Sequence, residues 1–245
     1  MEGIRIIAFK DWYQENLLFF SIIYYYYRER KRMGHIINRV TIVGTSDKTY
    51  LALGDSYTIG ESVPESERWP NQLAGLLQVN DISTEVTIIA RTGWTTDELW
   101  KGIQAMEINP SYDLVSLLIG VNNQYRGLDI DEYRAEFIFL LHKAIEYAGG
   151  DSKRVIVLSI PDWGVTPFAN SRDSKKIATE INLFNSVNRE ETEKAGAYYV
   201  DVTLGSGAVA TDSALIAADG LHPSGKMYAE WAKLAYQEVL RILEK

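Results

Sequence analysis

Leu51–Gly60, LALGDSYTIG, decides how this chain is read. An apolar run from Tyr50 to Leu53 stops at Gly54 and passes into Asp55, Ser56, Tyr57 and Thr58. A buried strand that ends this way delivers a small polar side chain to the rim of a sheet, where a rigid scaffold presents it to a ligand. The same residues suit a helix N-cap, a position that favours Ser and Asp. Taken alone, the stretch leaves both readings open.

Outward from it, strands and helices alternate. Tyr50–Leu53 is the first strand, Glu85–Ala90 the second, Asp113–Ile119 the third, Arg154–Ile160 the fourth and Ala197–Val202 the fifth. Between them the pattern predicts helices over Glu67–Leu77, Thr95–Met106, Asp131–Tyr147 and about Lys175–Ala195, with a closing helix over Gly225–Leu243. Phe137, Leu140, Leu141, Ala144 and Ala148 recur at helical spacing and form one apolar face. Near-continuous apolar strands separated by helices imply an α/β domain whose parallel sheet is covered on both faces. No repeat or linker divides residues 49–245, which read as one domain, with 1–48 as an N-terminal extension.

Composition narrows the chemistry. The chain of 245 residues can bury a sizeable core, and its lack of cysteine excludes disulfides, thiolate metal sites and a cysteine nucleophile. His35, His142 and His222 have no metal-ligand spacing, and a carboxylate-only metal site, the remaining alternative, has no positive support; the expectation is no metal and no other cofactor. The formal charge of −8 is uneven, with net +3 in residues 1–48 and −11 beyond. An acidic body argues against nucleic acid, which needs a basic face.

The extension holds an apolar and aromatic run, Leu17–Tyr27, followed by Arg28, Arg30, Lys31 and Arg32. The run is too short to span a bilayer, which needs about 20 apolar residues. Membrane contact through Leu17–Arg32 would take the form of an interfacial anchor; the plainer alternative is an added element packed on the domain, or a poorly ordered tail. With no clear signal peptide the default expectation is the cytoplasm, and export enters only if the true start differs. Oligomeric state is not legible.

In open parallel sheets ligands bind beyond the carboxyl ends of the strands. Ser56, Gly93 and the pair Asn122–Asn123 fall at such ends, and Asp219 and His222 share the turn before the last helix. A serine hydroxyl attacks a carbonyl when a base takes its proton, and His222 suits that near neutral pH. Asp219 can fix the imidazole tautomer, while a glycine and an asparagine can supply oxyanion donors. Each has a bland alternative. Asp219-Gly220 is a good turn, Ser224 a good helix cap, Gly93 a strand end and Asn122 a loop residue.

Four motifs, GDSYT at 54–58, ARTGWTT around Gly93, IGVNN at 119–123 and DGLHPS at 219–224, stand in order over roughly residues 50–240. In this the chain resembles the SGNH hydrolases, also called the GDSL esterase/lipase family. The resemblance implies a three-layer, flavodoxin-like fold with five parallel strands in the order 2-1-3-4-5. It further implies an esterase with Ser56 as nucleophile, His222 as base and Asp219 as orienting carboxylate. The Ser56 and Gly93 backbone N–H groups and the Asn122 side chain would then form the oxyanion hole. Asn123 departs from the family's usual aspartate, which bears on the loop more than on catalysis.

Around these, Trp94 either walls the acyl pocket or simply packs. Gln124, Tyr125 and Arg126 are candidates for the substrate entrance, with Arg126 weighed as a clamp for an anion against a solvated loop charge. Asp162, Trp163 and Phe168 fall near the same edge, where the two rings would add an aromatic rim. The expected partner is a small-molecule acyl ester on a small or accessible acyl group, with acetylated carbohydrates, lysolipids and thioesters among the classes. The competing expectation is a catalytically silent module of the same fold that binds a carbohydrate or acyl ligand.

Overall fold

Five parallel strands carry the molecule: β1 (Lys48–Gly54), β2 (Thr84–Ala90), β3 (Leu114–Leu118), β4 (Val155–Leu158) and β5 (Tyr198–Val200). They pair in the order β2-β1-β3-β4-β5. The computed structural model describes residues 48–108 and 111–243, so Leu17–Arg32 and His35 lie outside the described residues. Lys48, assigned to the extension on sequence grounds, already pairs with Thr84.

Register places the site. Gly54 at the end of β1 lies opposite Ala90 of β2 and Leu118 of β3, so three strands finish level with one another. A Cβ at Gly54 would stand 2.2 Å from the Thr58 Oγ1 and 2.5 Å from the Leu118 carbonyl oxygen. Only glycine lets the chain turn this tightly beside β3. The strand core from Tyr50 to Leu53 and all of β3 and β4 are buried. Each buried aliphatic side chain contributes about 1.5–3 kcal/mol. The polar exception in β3, Ser116, meets the Tyr50 hydroxyl at 2.8 Å and so carries no unpaired group into the core.

Beyond the strands come α1 (Ser56–Ile59), α2 (Trp69–Gln78), α3 (Thr96–Gln104), α4 (Val121–Tyr125), α5 (Ile130–Tyr147), α6 (Ser174–Ala195), α7 (Thr203–Ser206) and α8 (Gly225–Leu243). α2 packs with α8, whereas α5 packs with both α3 and α6, which gives a helical layer on either side of the sheet. Pro70 enters α2 in its first turn, where its missing N–H costs nothing. Asp129 caps α5 by accepting from the Asp131 and Glu132 backbone N–H groups. The expected apolar face of α5 is buried, while His142 is exposed on the same helix.

β1 and β2 run longer than the sequence reading, whereas β3, β4 and β5 are shorter. Asp113, Ile119, Arg154, Ser159, Ile160 and Val202 are apolar or adjoin apolar runs, yet they lie beyond the paired segments. Hydrophobicity reports burial, and strand pairing is decided by the neighbouring chain. Among the described residues, no helix is long and apolar enough to cross a membrane.

Candidate active site

Ser56 opens α1 directly after β1. Asp55, fully buried, caps this short turn, its Oδ1 accepting from the Tyr57 N–H at 3.0 Å. As the first residue of the helical turn, Ser56 has a backbone N–H with no partner inside the turn, a donor left over by geometry. Both local readings of the sequence therefore have a place. The cap is Asp55, and the serine it positions faces a cavity.

That cavity has a volume of about 240 Å³. Ser56, Gly93, Asn122 and His222 line it, together with Tyr57, Thr92, Val121, Tyr125, Trp163, Phe168 and Leu221. Residues spread over 167 positions of sequence meet there because the sheet order places the ends of β1, β2 and β3 side by side.

His222 is held from two sides. Its Nδ1 lies 2.6 Å from the Asp219 Oδ2. An ionised carboxylate only accepts, so Nδ1 donates and Nε2 is left for the cavity. The Tyr57 ring meets the imidazole edge-on at 5.8 Å between centroids. Asp219 also accepts at Oδ1 from the Leu221 and His222 backbone N–H groups, each at 2.9 Å, and at Oδ2 from the Ser62 hydroxyl at 2.7 Å. Partial burial alone would raise its pKa, but these hydrogen bonds from Ser62, Leu221 and His222 outweigh it and hold the carboxyl well below the usual range.

Gly93 has φ +89° and nothing within 4 Å of the position a Cβ would take, so its backbone lies open to an incoming group. Arg126 braces this loop. Its Nη2 donates to the Gly93 carbonyl at 2.6 Å and to the Glu98 Oε2 at 3.1 Å. Arg126 is thus neither of the alternatives weighed from sequence: its charge is paired, and it fixes the peptide that follows Gly93.

The two asparagines divide their work. Asn122 Nδ2 donates to the Trp94 carbonyl at 2.9 Å, which fixes the amide with a second N–H to spare. Asn123 is buried and takes no part in the cavity lining. Its Oδ1 accepts from the Thr96 N–H at 3.1 Å and its Nδ2 donates to the Thr96 hydroxyl at 2.7 Å, which pins α4 to the start of α3.

Trp94 does not wall the cavity. Its ring lies on Gly102 of α3, so close that a Cβ there would sit 2.1 Å from the Trp94 Cη2. The absence of a side chain at Gly102 makes that seat available, a contact the local sequence does not announce. Tyr125, Trp163 and Phe168 do line the cavity. Gln124 serves Trp163 instead of the entrance: its Oε1 accepts from the Trp163 Nε1 at 2.9 Å, and its Nε2 donates to Glu180 at 2.7 Å. Asp162 caps the turn at Trp163–Val165 through the Gly164 N–H and borders a smaller neighbouring cavity; burial raises its pKa against that hydrogen bond.

Sequence reasoning missed Ser62, Tyr57 as the imidazole's neighbour, and the brace by Arg126. Ser62 lies 157 residues from Asp219 and carries φ +66°, so no local pattern marks it. Among the described residues, no group of three or more acidic or histidine side chains is arranged to hold a metal ion.

No curated protein matches the chain in sequence. Among solved structures it is similar to TesA, with a TM-score of 0.64 at 18% identity over 80% of this chain and 100% of the other. The psychrotrophic esterase EstA from Pseudoalteromonas sp., in a structure inhibited by monoethylphosphonate, gives 0.62 at 18% over 81% and 100%. Axe2, an acetylxylan esterase from Geobacillus stearothermophilus, gives 0.59 at 20% over 81% and 94%. At these identities the likeness speaks for the fold. A profile described as the GDSL-like Lipase/Acylhydrolase family matches residues 52–230, a span that contains every motif at the cavity, and the chain belongs to this family of carboxylic ester hydrolases.

Proposed function

We propose that this chain cleaves esters through an acyl-enzyme on Ser56, with His222 as general base and Asp219 as its orienting carboxylate. The observation that carries the proposal is convergence: Ser56 and His222 line one cavity, and Asp219 occupies the far nitrogen of the imidazole at 2.6 Å. The Ser56 Oγ adds to the ester carbonyl carbon while His222 Nε2 takes its proton. The oxyanion is met by the Ser56 N–H, the Gly93 N–H and the Asn122 amide. Collapse expels the alcohol, which receives the proton from His222. Water then attacks the acyl-serine by the same route, releasing the acid and restoring Ser56.

At about 240 Å³ the cavity is below the usual range of about 300–1,000 Å³ for ligand sites, which favours a short or loosely held acyl group. An acetylated carbohydrate fits that limit better than the long chain of a lysolipid, and a thioester is accommodated equally. The acetylxylan esterase and the phosphonate-inhibited esterase among the similar folds are consistent with it. We take residues 49–245, with Lys48 completing β1, as the catalytic unit. A protein begun at Lys48 that failed to hydrolyse soluble esters would refute that division.

The test pairs a chromogenic ester series, from acetyl to long acyl, with fluorophosphonate labelling. Ser56→Ala should abolish both turnover and label while far-UV circular dichroism stays unchanged. A purified variant that kept wild-type hydrolysis would remove Ser56 from the mechanism. A wild-type protein inert to both probes would instead favour the silent binding module.

A further inference from the structure

Arg172 stands over the aromatic rim of the cavity. Its guanidinium carbon is 5.0 Å from the Tyr125 ring centroid, 5.4 Å from that of Trp163 and 5.2 Å from that of Phe168. All three rings line the cavity that holds Ser56 and His222, and Arg172 is exposed, so its head lies on the solvent side of the rim. Its place is fixed at both ends. The backbone N–H donates to the Ala169 carbonyl at 2.8 Å, and Nη2 donates to the Tyr125 hydroxyl at 2.9 Å.

This arginine joins a seat on the rim to an unspent charge; among the described residues Arg68 and Arg91 also lack a carboxylate pair, but Arg172 is the one set over the cavity's rings. Arg126, Arg134, Arg154, Arg189 and Arg241 each pair with a carboxylate. Among the described residues Arg172 has no such pair, and the Tyr125 hydroxyl is its one polar side-chain partner. The neighbouring Asp173 is turned to its own helix, where its Oδ1 accepts from the Lys176 N–H at 3.0 Å. Stacking on aromatic faces holds a guanidinium while leaving its in-plane N–H donors exposed, the geometry that matches a carboxylate or phosphate.

We propose that Arg172 is a specificity residue that receives an anionic oxyacid group, carboxylate or phosphate, on the alcohol portion of the ester. The proposal rests on the esterase reading. With the acyl group in the narrow cavity beside Ser56, the alcohol portion extends past the rim, where Arg172 is the cation seated on the lining rings. The Tyr125, Trp163 and Phe168 rings supply an apolar surface for that portion, and the guanidinium supplies its direction.

The experiment compares three matched acetyl esters: 3-acetoxybenzoate, 3-acetoxyphenyl phosphate and the neutral 3-acetoxybenzamide. The quantity read is the ratio of kcat/KM for each anion to that of the amide, in wild type, Arg172→Gln and Arg172→Lys. Using the ratio cancels any general damage to the rim. Wild type should favour at least one anion by about fivefold, the scale of an exposed but well-placed charge pair. That preference should vanish in Arg172→Gln, persist in part in Arg172→Lys, and weaken as salt is raised. Which anion is favoured identifies the oxyacid. Equal ratios in wild type and Arg172→Gln, or a wild-type preference for the amide, would overturn the proposal.

A second arm keeps this separate from the chemistry. In the Ser56→Ala background, calorimetric titration of the same three esters measures binding without turnover. An anion preference there that depends on Arg172 supports the proposal even if wild type proves inactive, in which case it is the esterase reading that fails. No Arg172-dependent preference in this background sinks the inference by itself.

Discussion

Two aspartates flank the proposed nucleophile and base, and their surroundings drive them in opposite directions. Asp55, before the serine, is fully buried, and of its two carboxylate oxygens Oδ1 has a backbone donor while Oδ2 has no hydrogen-bond partner. Burial pushes its carboxyl up to about 7, against the weaker effect of the Tyr57 N–H. Asp219, before the histidine, stands at the edge of the cavity with four donors on its two oxygens, and it is held ionised. The same residue type thus serves as a cap that readily takes up a proton in one turn and as a fixed negative charge in the other. Hydration and hydrogen-bond count decide which, and the motif letter does not.

Removing the charge of Asp219 gives the strongest test of this contrast. Asp219→Asn should lower kcat by about 10³–10⁴, since both the tautomer and the imidazolium lose support, while cooperative unfolding persists. The matching Asp55→Asn enzyme should keep most of its activity, because asparagine caps as well as aspartate. Steady-state kinetics on both variants would break the comparison if the two lost activity alike.

Next in size is the proposed oxyanion donor. Asn122→Ala should reduce kcat by about 10²–10³ with little change in KM. Asn123→Ala should act through stability, because its amide is spent on Thr96. Kinetics and thermal melts measured together separate the pair, and the reverse assignment would shift the motif by one residue.

The pH dependence of folding sharpens the comparison further. Asp55 has a folded pKa above the unfolded value, so between about pH 4 and 7 the folded state binds more protons and stability falls as pH rises. Asp219 has the opposite sign, adding stability above the unfolded carboxyl pKa and losing it on acidification. Asp55→Asn should therefore match wild type near pH 4 and exceed it at pH 8, by a few kcal/mol at most. Denaturant midpoints at the two pH values decide it, and a variant less stable at pH 8 would contradict the burial argument.

The smallest effect belongs to Ser62. Ser62→Ala removes one of four donors to Asp219 and should lower kcat about three- to tenfold, the scale of one hydrogen bond to a charged group. An unchanged kcat would show that the three remaining donors suffice.

The sequence by itself determined the α/β class, the five strands, the ends at which Ser56, Gly93 and Asn122 sit, and the shared turn of Asp219 and His222. Those features are local: apolar period, glycine punctuation and turn chemistry are written within a few residues of where they act. Only the tertiary structure decided that Trp94 turns onto Gly102, that Arg126 braces the Gly93 carbonyl, and that Gln124 serves Trp163. It alone brought Ser62 to Asp219 and set Arg172 over three rings, one from α4 and two from the segment beyond β4. These contacts join residues distant in sequence, and their partners are chosen by shape and unspent donors in space. No local propensity encodes that choice.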